Sequence, residues 1–241
     1  DGLKLDPATQ VYDVSNACLG VLNGMVQVAN AIELGQIRAG LVVASEASRD
    51  IIDLTVKRLN ETKDMAFVKK NIATLTGGSG AVGVLLTDRS VAAGGHRLLG
   101  GVCRQATQFH RLCMWGAPND LTSAGQQFIE TDSAGILSQG VELGTATFKS
   151  FKRELHWSDS DPDKIICHQV GATHQRHILN AIGVSRDKDF TTFEFLGNIG
   201  SVSLPITAAI AAERGFLSPG DRVGLLGIGS GLNCLMLGVQ W

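Results

Sequence analysis

The chain has 241 residues, enough for one large core or two modest ones, and 44% hydrophobic against 18% charged residues reads as a buried, globular enzyme body. A net charge of −2, with no basic stripe interleaved with aromatics, excludes electrostatic binding of nucleic acid. Five cysteines (Cys18, Cys103, Cys113, Cys167, Cys234) are an odd number without paired short spacing, which argues against a disulfide framework and a zinc site and for a reduced, cytoplasmic protein.

No charged-then-apolar leader opens the chain. Val11 to Val14 is expected as a short strand, followed by the small-residue turn Ser15-Asn16-Ala17-Cys18. Val21, Met25, Val28, Ala29 and Ile32 then recur at helical spacing on one face, and Gly35 stops that helix. Leu41 to Ala44 is a continuous apolar run and predicts a strand buried on both faces. A second strand is expected from Ala81 to Thr87.

The stretch from His96 to Gly116 reads as irregular. Its Phe109, His110, Leu112, Cys113, Met114 and Trp115 fit either an acyl-lining wall or ordinary packing. A helix is expected from Thr131 to Leu155, a strand from Lys164 to Cys167 that delivers His168, and a helix through Ile178 to Ile182. Phe193-Glu194-Phe195 reads as a strand end before the turn Leu196-Gly197-Asn198-Ile199-Gly200-Ser201. The helix after it should bury Val202, Ile206, Ala209 and Ile210 and stop at Gly215, with Pro205 tolerated near its start. Val223 to Val239 is the most apolar stretch. It is interrupted by Gly224, Gly227, Gly229, Ser230, Gly231 and Asn233, so it reads as two strands around a glycine loop and not as a membrane helix.

The last quarter repeats the first. Cys18 stands 17 residues before Gly35, and Asn198 stands 17 residues before Gly215. Each unit reads strand, small-residue turn, helix, glycine stop, buried strand, which implies two similar α/β halves with Cys18 and Asn198 at equivalent helix starts.

Three side chains carry candidate chemistry. Cys18 lies at a helix start, where the dipole and free N–H groups favour a thiolate nucleophile; the competing reading is a buried, inert cysteine. His168 follows the carboxyl end of a buried strand, where ligands bind in α/β sheets, although a histidine of surface or core fits the same position. Asn198 suits a site opposite Cys18 as well as a plain turn. The amides of Gly229, Ser230 and Gly231 can aim at a developing oxyanion or simply close a hairpin. A strand follows this loop, so it is no dinucleotide fingerprint. Thr76-Gly77-Gly78-Ser79-Gly80 lacks a phosphate-binding lysine, and His174 with His177 lack further ligands, so neither a phosphate nor a metal site is expected.

Together these motifs, Ser15-Asn16-Ala17-Cys18-Leu19-Gly20, His168-Gln169, Gly197-Asn198-Ile199-Gly200-Ser201 and Gly229-Ser230-Gly231, resemble the ketoacyl synthase III branch of the thiolase superfamily. They fall in the family's order over nearly the whole chain. Thr74 to Val82, Leu98 to Val102 and Leu226 to Gly238 are most similar to its OleA group, which joins two long-chain acyl-CoA molecules head to head.

The resemblance implies a layered αβαβα fold of two halves. Residues 1–90 would be the remainder of the first half with the nucleophile, and 91–241 the second half with the histidine and asparagine. It further implies Cys18, His168 and Asn198 as catalytic residues, Gly229, Ser230 and Gly231 as oxyanion- or substrate-binding, and no cofactor or metal beyond acyl-CoA substrates. The implied activity is an acyltransferase making a β-keto product in lipid or olefin metabolism.

Two departures stand out. Val170-Gly171 replaces the Ala-Asn that usually follows His-Gln in this branch. Cys18 also comes early, whereas the family has about a hundred residues before its nucleophile strand. The chain is therefore expected to expose a large apolar surface alone, to form a homodimer or to pair with a chain carrying the first segment. By resemblance, a glutamate of the partner subunit acts as base and falls in that segment. Two alternatives stay open: a decarboxylating ketoacyl synthase III using malonyl-carrier protein, and a non-catalytic acyl-binding subunit.

Overall fold

The computed structural model describes residues 4–92, 94–116 and 128–241. Helix α1 (Gly20–Glu33) buries Val21, Leu22, Met25 and Val28 on its inner face. It ends because Gly35 takes φ +69°, a left-handed conformation that glycine adopts without steric penalty. The Gly35 and Gln36 N–H groups then close back on the Ile32 and Ala31 carbonyls, the Schellman pattern of a glycine stop.

Strand β1 (Ala39–Glu46), helices α2 (Arg49–Glu61) and α3 (Met65–Asn71) and strand β2 (Gly80–Thr87) complete the first third or so. β1 and β2 form a two-stranded antiparallel sheet with Leu41 opposite Leu85 and Val43 opposite Gly83. Val42, Ala44, Val82, Val84 and Leu86 pack inward. Leu41, Val43 and Leu85, at 61%, 69% and 66% exposure, point outward. The expected strand buried on both faces is thus corrected: alternate side chains leave opposite faces of a strand, and only one face of this sheet is covered. The apolar surface anticipated from the sequence lies on the other.

Then come β3 (Arg97–Gln105), β4 (Cys113–Gly116), β5 (Phe128–Thr131), α4 (Ser133–Glu154), β6 (Lys164–Cys167), α5 (Ala172–Ile182), α6 (Phe193–Leu196), α7 (Ser203–Glu213), β7 (Arg222–Gly229) and β8 (Asn233–Gln240). Four of these strands form a sheet in the order β3-β8-β7-β6, with β6 and β7 parallel and the other pairs antiparallel. One face of β7 and β8 (Val223, Leu225, Leu235, Leu237, Val239) packs on a core shared with α1 and α7. The other (Leu226, Cys234, Met236) packs on Leu143, Phe148 and Phe151 of α4 and Leu179 of α5. The α1–α7 layer is therefore sandwiched between two sheets, and α4 and α5 close the far side. This is the layered α/β architecture expected from the sequence.

Several local expectations are corrected. Val11 to Val14 joins no ladder, and Val11 and Tyr12 are exposed. The stretch 96–116 is not irregular, since it holds β3 and β4. Gly100 and Gly101 had obscured the strand period, and Leu98 to Gly100 carries a register shift. Phe109 and Leu112 pack on the second core; the side chain of Trp115 lies outside the described residues. Phe193 to Phe195 belongs to a short helix, not a strand. On α7 the buried residues include Leu204, Thr207, Ala208 and Ala211, while Ala209 is exposed. A helix pressed between two sheets is apolar nearly all round, so its sequence period cannot fix one face. Among the described residues, no helix is long and apolar enough to cross a membrane.

Candidate active site

The turn before α1 is tight. Leu19 N–H donates to the Asn16 carbonyl at 2.9 Å, Gly20 N–H donates to the Ala17 carbonyl at 3.2 Å, and Ala17 sits at φ +44°. Leu19, 1% exposed, anchors this turn in the core. Cys18 stands immediately upstream of the helix cap at Leu19. The end of β7 passes beside it: a methyl group on Gly229 would lie 3.5 Å from the Cys18 nitrogen. The glycine loop Gly229-Ser230-Gly231 therefore lies against the nucleophile turn, and it is also the hairpin between β7 and β8.

His168 directly follows β6, and its N–H donates to the Leu226 carbonyl at 3.0 Å. Cys167 pairs with Leu226, so His168 continues the register beside Gly227, two residues short of Gly229. With about 4.8 Å between strands and about 3.3 Å per residue, His168 lies within about 8 Å of the strand end that touches Cys18. Gln169 then ties this edge to the next segment. It is 1% exposed; its Nε2 donates to the Cys167 carbonyl at 2.7 Å, and its Oε1 accepts from Thr192 N–H at 2.8 Å and Phe193 N–H at 3.2 Å.

Asn198 is held by its backbone. Its N–H donates to the Thr76 carbonyl at 2.9 Å, and its carbonyl accepts from Gly78 N–H at 2.8 Å. A methyl group on Gly78 would overlap the Leu196 carbonyl, and one on Gly197 would overlap the Thr76 carbonyl. The glycine run 76–80 thus acts as a splint for Asn198. The Asn198 Oδ1 accepts from Gly200 N–H at 3.0 Å and Ser203 Oγ–H at 3.3 Å. That turns its NH2 away from the turn as a hydrogen-bond donor.

Glu46, at the end of β1, accepts from Ser201 N–H at 3.3 Å and Ser201 Oγ–H at 2.8 Å. A methyl group on Gly20 would be 3.6 Å from Ser201 Cβ. The two helix starts that the internal repeat predicted to be equivalent therefore touch, and the turns carrying Cys18 and Asn198 are neighbours. Glu46, the tie that Gln169 makes to Thr192 and Phe193, and the splinting role of Gly78 were missed in the sequence. Each joins residues at least 23 positions apart, up to 155 for Glu46 and Ser201, and such pairings leave no local pattern.

The electrostatics correct one expectation. Burial pushes the Cys18 thiol up to about 12, with Cys113 and Glu46 adding to the shift and its own N–H opposing it. The desolvation of a buried thiolate outweighs the helix start, so the resting nucleophile is a protonated thiol. Burial, helped by His174, holds the His168 imidazole down to about 4, so it is neutral at physiological pH. His168 Nδ1 and His174 Nε2 are buried without a hydrogen-bond partner. They line a pocket of about 80 Å³ whose walls include Val141, Ile178, Phe193 and Ile228. Among the described side chains of 96–114, none lines it.

The rate of Cys18 alkylation by iodoacetamide should accordingly rise about tenfold per pH unit up to pH 10, because the thiolate fraction keeps growing below a thiol value of about 12. Stopped assays with peptide mass readout check this. A plateau between pH 6 and 8 would show a resting thiolate instead.

The chain matches the models described as 3-oxoacyl-[acyl-carrier-protein (ACP)] synthase III over residues 12–104 and as its C-terminal domain over residues 153–241. It is 48% identical to the acyl-CoA:acyl-CoA alkyltransferase of Shewanella oneidensis, over 99% of this chain and 69% of that protein. It is 26% identical to the β-ketoacyl-[acyl-carrier-protein] synthase III of Clostridium tetani, over 95% of this chain and 68% of that protein. A crystal structure of a Cys-to-Ser variant of Xanthomonas campestris OleA with bound lauric acid and lauroyl-CoA superposes with a TM-score of 0.90 at 33% identity, covering 100% of this chain and 69% of that one. The chain thus spans about two thirds of the length of these relatives.

Proposed function

The chain belongs to the 3-oxoacyl-[acyl-carrier-protein] synthase III family of the thiolase superfamily, in its OleA-like group, and on that premise we propose that it is an acyltransferase joining two fatty acyl-CoA molecules head to head. The likeness to the Shewanella alkyltransferase carries this reading. It is far stronger than the likeness to the ketoacyl synthases, at 48% against 26% identity, and it covers 99% of this chain.

In the first step Cys18 attacks the thioester of one acyl-CoA. The Cys18 N–H and an amide of the Gly229–Gly231 loop hold the oxyanion, which suits the close pass of Gly229 beside Cys18. The thioester bond to CoA breaks as the bond to Cys18 forms. The thiol proton ends on the CoA thiol, so the exchange of one thioester for another is balanced. The neutral imidazole of His168 suits a transient acceptor of that proton.

In the second step another acyl-CoA loses its α-proton to a base. His168 and the Asn198 NH2 donate hydrogen bonds to the enolate oxygen. The enolate carbon attacks acyl-Cys18, and Cys18 leaves and regains a proton. The product is a β-keto thioester or the acid formed from it by hydrolysis. Acyl groups reach His168 along the pocket between α4 and α5. We place the reaction in the cytoplasm, with no cofactor besides the acyl-CoA substrates, in a homodimer or a pairing with a chain that carries the first segment, the segment that supplies the base.

A decarboxylating synthase III is the second reading, favoured by the family models. It differs in needing a malonyl thioester. Supplied with a single long-chain acyl-CoA, the protein should form a β-keto product of two acyl chains. No product until malonyl-carrier protein is added would replace this reading with the second.

A further inference from the structure

We propose that Asn16 is a positioning residue that sets the oxyanion loop against the nucleophile turn. The proposal rests on the acyl-transfer reading above. Its basis is a directed chain of three carboxamides. Asn233 Nδ2 donates to Asn16 Oδ1 at 3.0 Å, although the two residues are 217 apart in sequence. Asn16 Nδ2 donates in turn to Asn23 Oδ1 at 2.8 Å. The same Asn233 Nδ2 also donates to the Ser230 carbonyl at 3.0 Å. Two side chains, Asn233 and Asn16, therefore link the loop before β8, the turn before Cys18 and α1. All three asparagines are half-buried, where such bonds compete less with water than on an open surface.

Two features next to the chain need such a link. Ala17, between Asn16 and Cys18, sits at φ +44°, a conformation unfavourable for a residue with a β-carbon. It persists only where the surroundings fix it. Asn16, immediately upstream, is fixed on both sides. Gly229, one residue before Ser230, passes the Cys18 nitrogen so closely that even a methyl group would be in contact with it. An oxyanion hole works only if its donors sit about 2.7–3.1 Å from the oxyanion, and misplacement by about 1 Å can cost about a hundredfold. Asn16 uses its oxygen toward the loop and its NH2 toward the helix, so an apolar residue breaks both ties at once. It touches neither thiol nor substrate, and its effect runs through the separation it maintains.

The test compares two reactions of the same thiol in Asn16→Ala. Acyl transfer from acyl-CoA needs the oxyanion hole, whereas alkylation by iodoacetamide does not. Acyl transfer, followed by intact mass, should fall about 10- to 100-fold, with the alkylation rate within about twofold of wild type. Asn233→Ala cuts the other end of the chain and should give the same split; it serves if the first variant does not fold. Acylation of the folded variants at the wild-type rate, or acylation and alkylation falling in parallel, would overturn the proposal. The wild-type control separates the premise: failure of wild type to acylate counts against the acyl-transfer reading, while normal wild-type acylation leaves the variants to judge Asn16.

Discussion

Cys18→Ala should form neither an acyl-enzyme nor condensed product, a loss limited only by the detection threshold of the product assay. The thiol is the one group in the proposed path that makes and breaks a bond in both steps. The neighbouring Cys113 belongs to β4 and not to the turn against which Gly229 packs, so it is not expected to replace Cys18. Cys18→Ser should lose most activity as well. Even the cysteine is protonated at rest, and a serine hydroxyl gives up its proton far less readily. Gas chromatography–mass spectrometry of the extracted products reads the outcome. Condensed product from the alanine variant would remove Cys18 from the mechanism.

Asn198→Ala should separate the two steps. The Asn198 NH2 is assigned to the enolate of the second acyl-CoA and not to the first thioester. The acyl-enzyme should therefore still form, while condensation falls by about 10²–10³, the range for losing one preorganised donor to a developing oxyanion. The expected signature is an acyl adduct that accumulates instead of turning over, seen by intact mass alongside product analysis. The backbone around Asn198 is held by Thr76 and Gly78, so trimming the side chain leaves the turn in place. Loss of the adduct itself would mean that Asn198 serves acylation and that the assignment of roles is wrong.

The layered architecture and the positions of the three turns were legible in the sequence, and the reason is local. A glycine stop at Gly35 and another at Gly215, each 17 residues after a polar residue in a small-residue turn, reveal the duplicated unit directly. The strand 164–167 and the hairpin around Gly229–Gly231 were equally plain, because an apolar run cut by glycines has few other solutions. What escaped reading depends on neighbours far along the chain. Whether Leu41 faces core or solvent is decided by what covers the β1–β2 sheet, and the residues of β1 do not encode that. The protonation of Cys18 is set by burial beneath other elements, so the helix-start argument, correct in sign, was outweighed. The Glu46–Ser201 and Asn233–Asn16 contacts join residues 155 and 217 apart, distances at which a single sequence carries no pairing signal.

The central claim, that Cys18 carries an acyl group between two substrates, is tested most directly by intact mass after mixing the protein with a long-chain acyl-CoA. The account predicts a mass increase equal to the acyl group, abolished by prior alkylation of Cys18. An unchanged mass from folded protein, or an adduct that survives alkylation of Cys18, would contradict it.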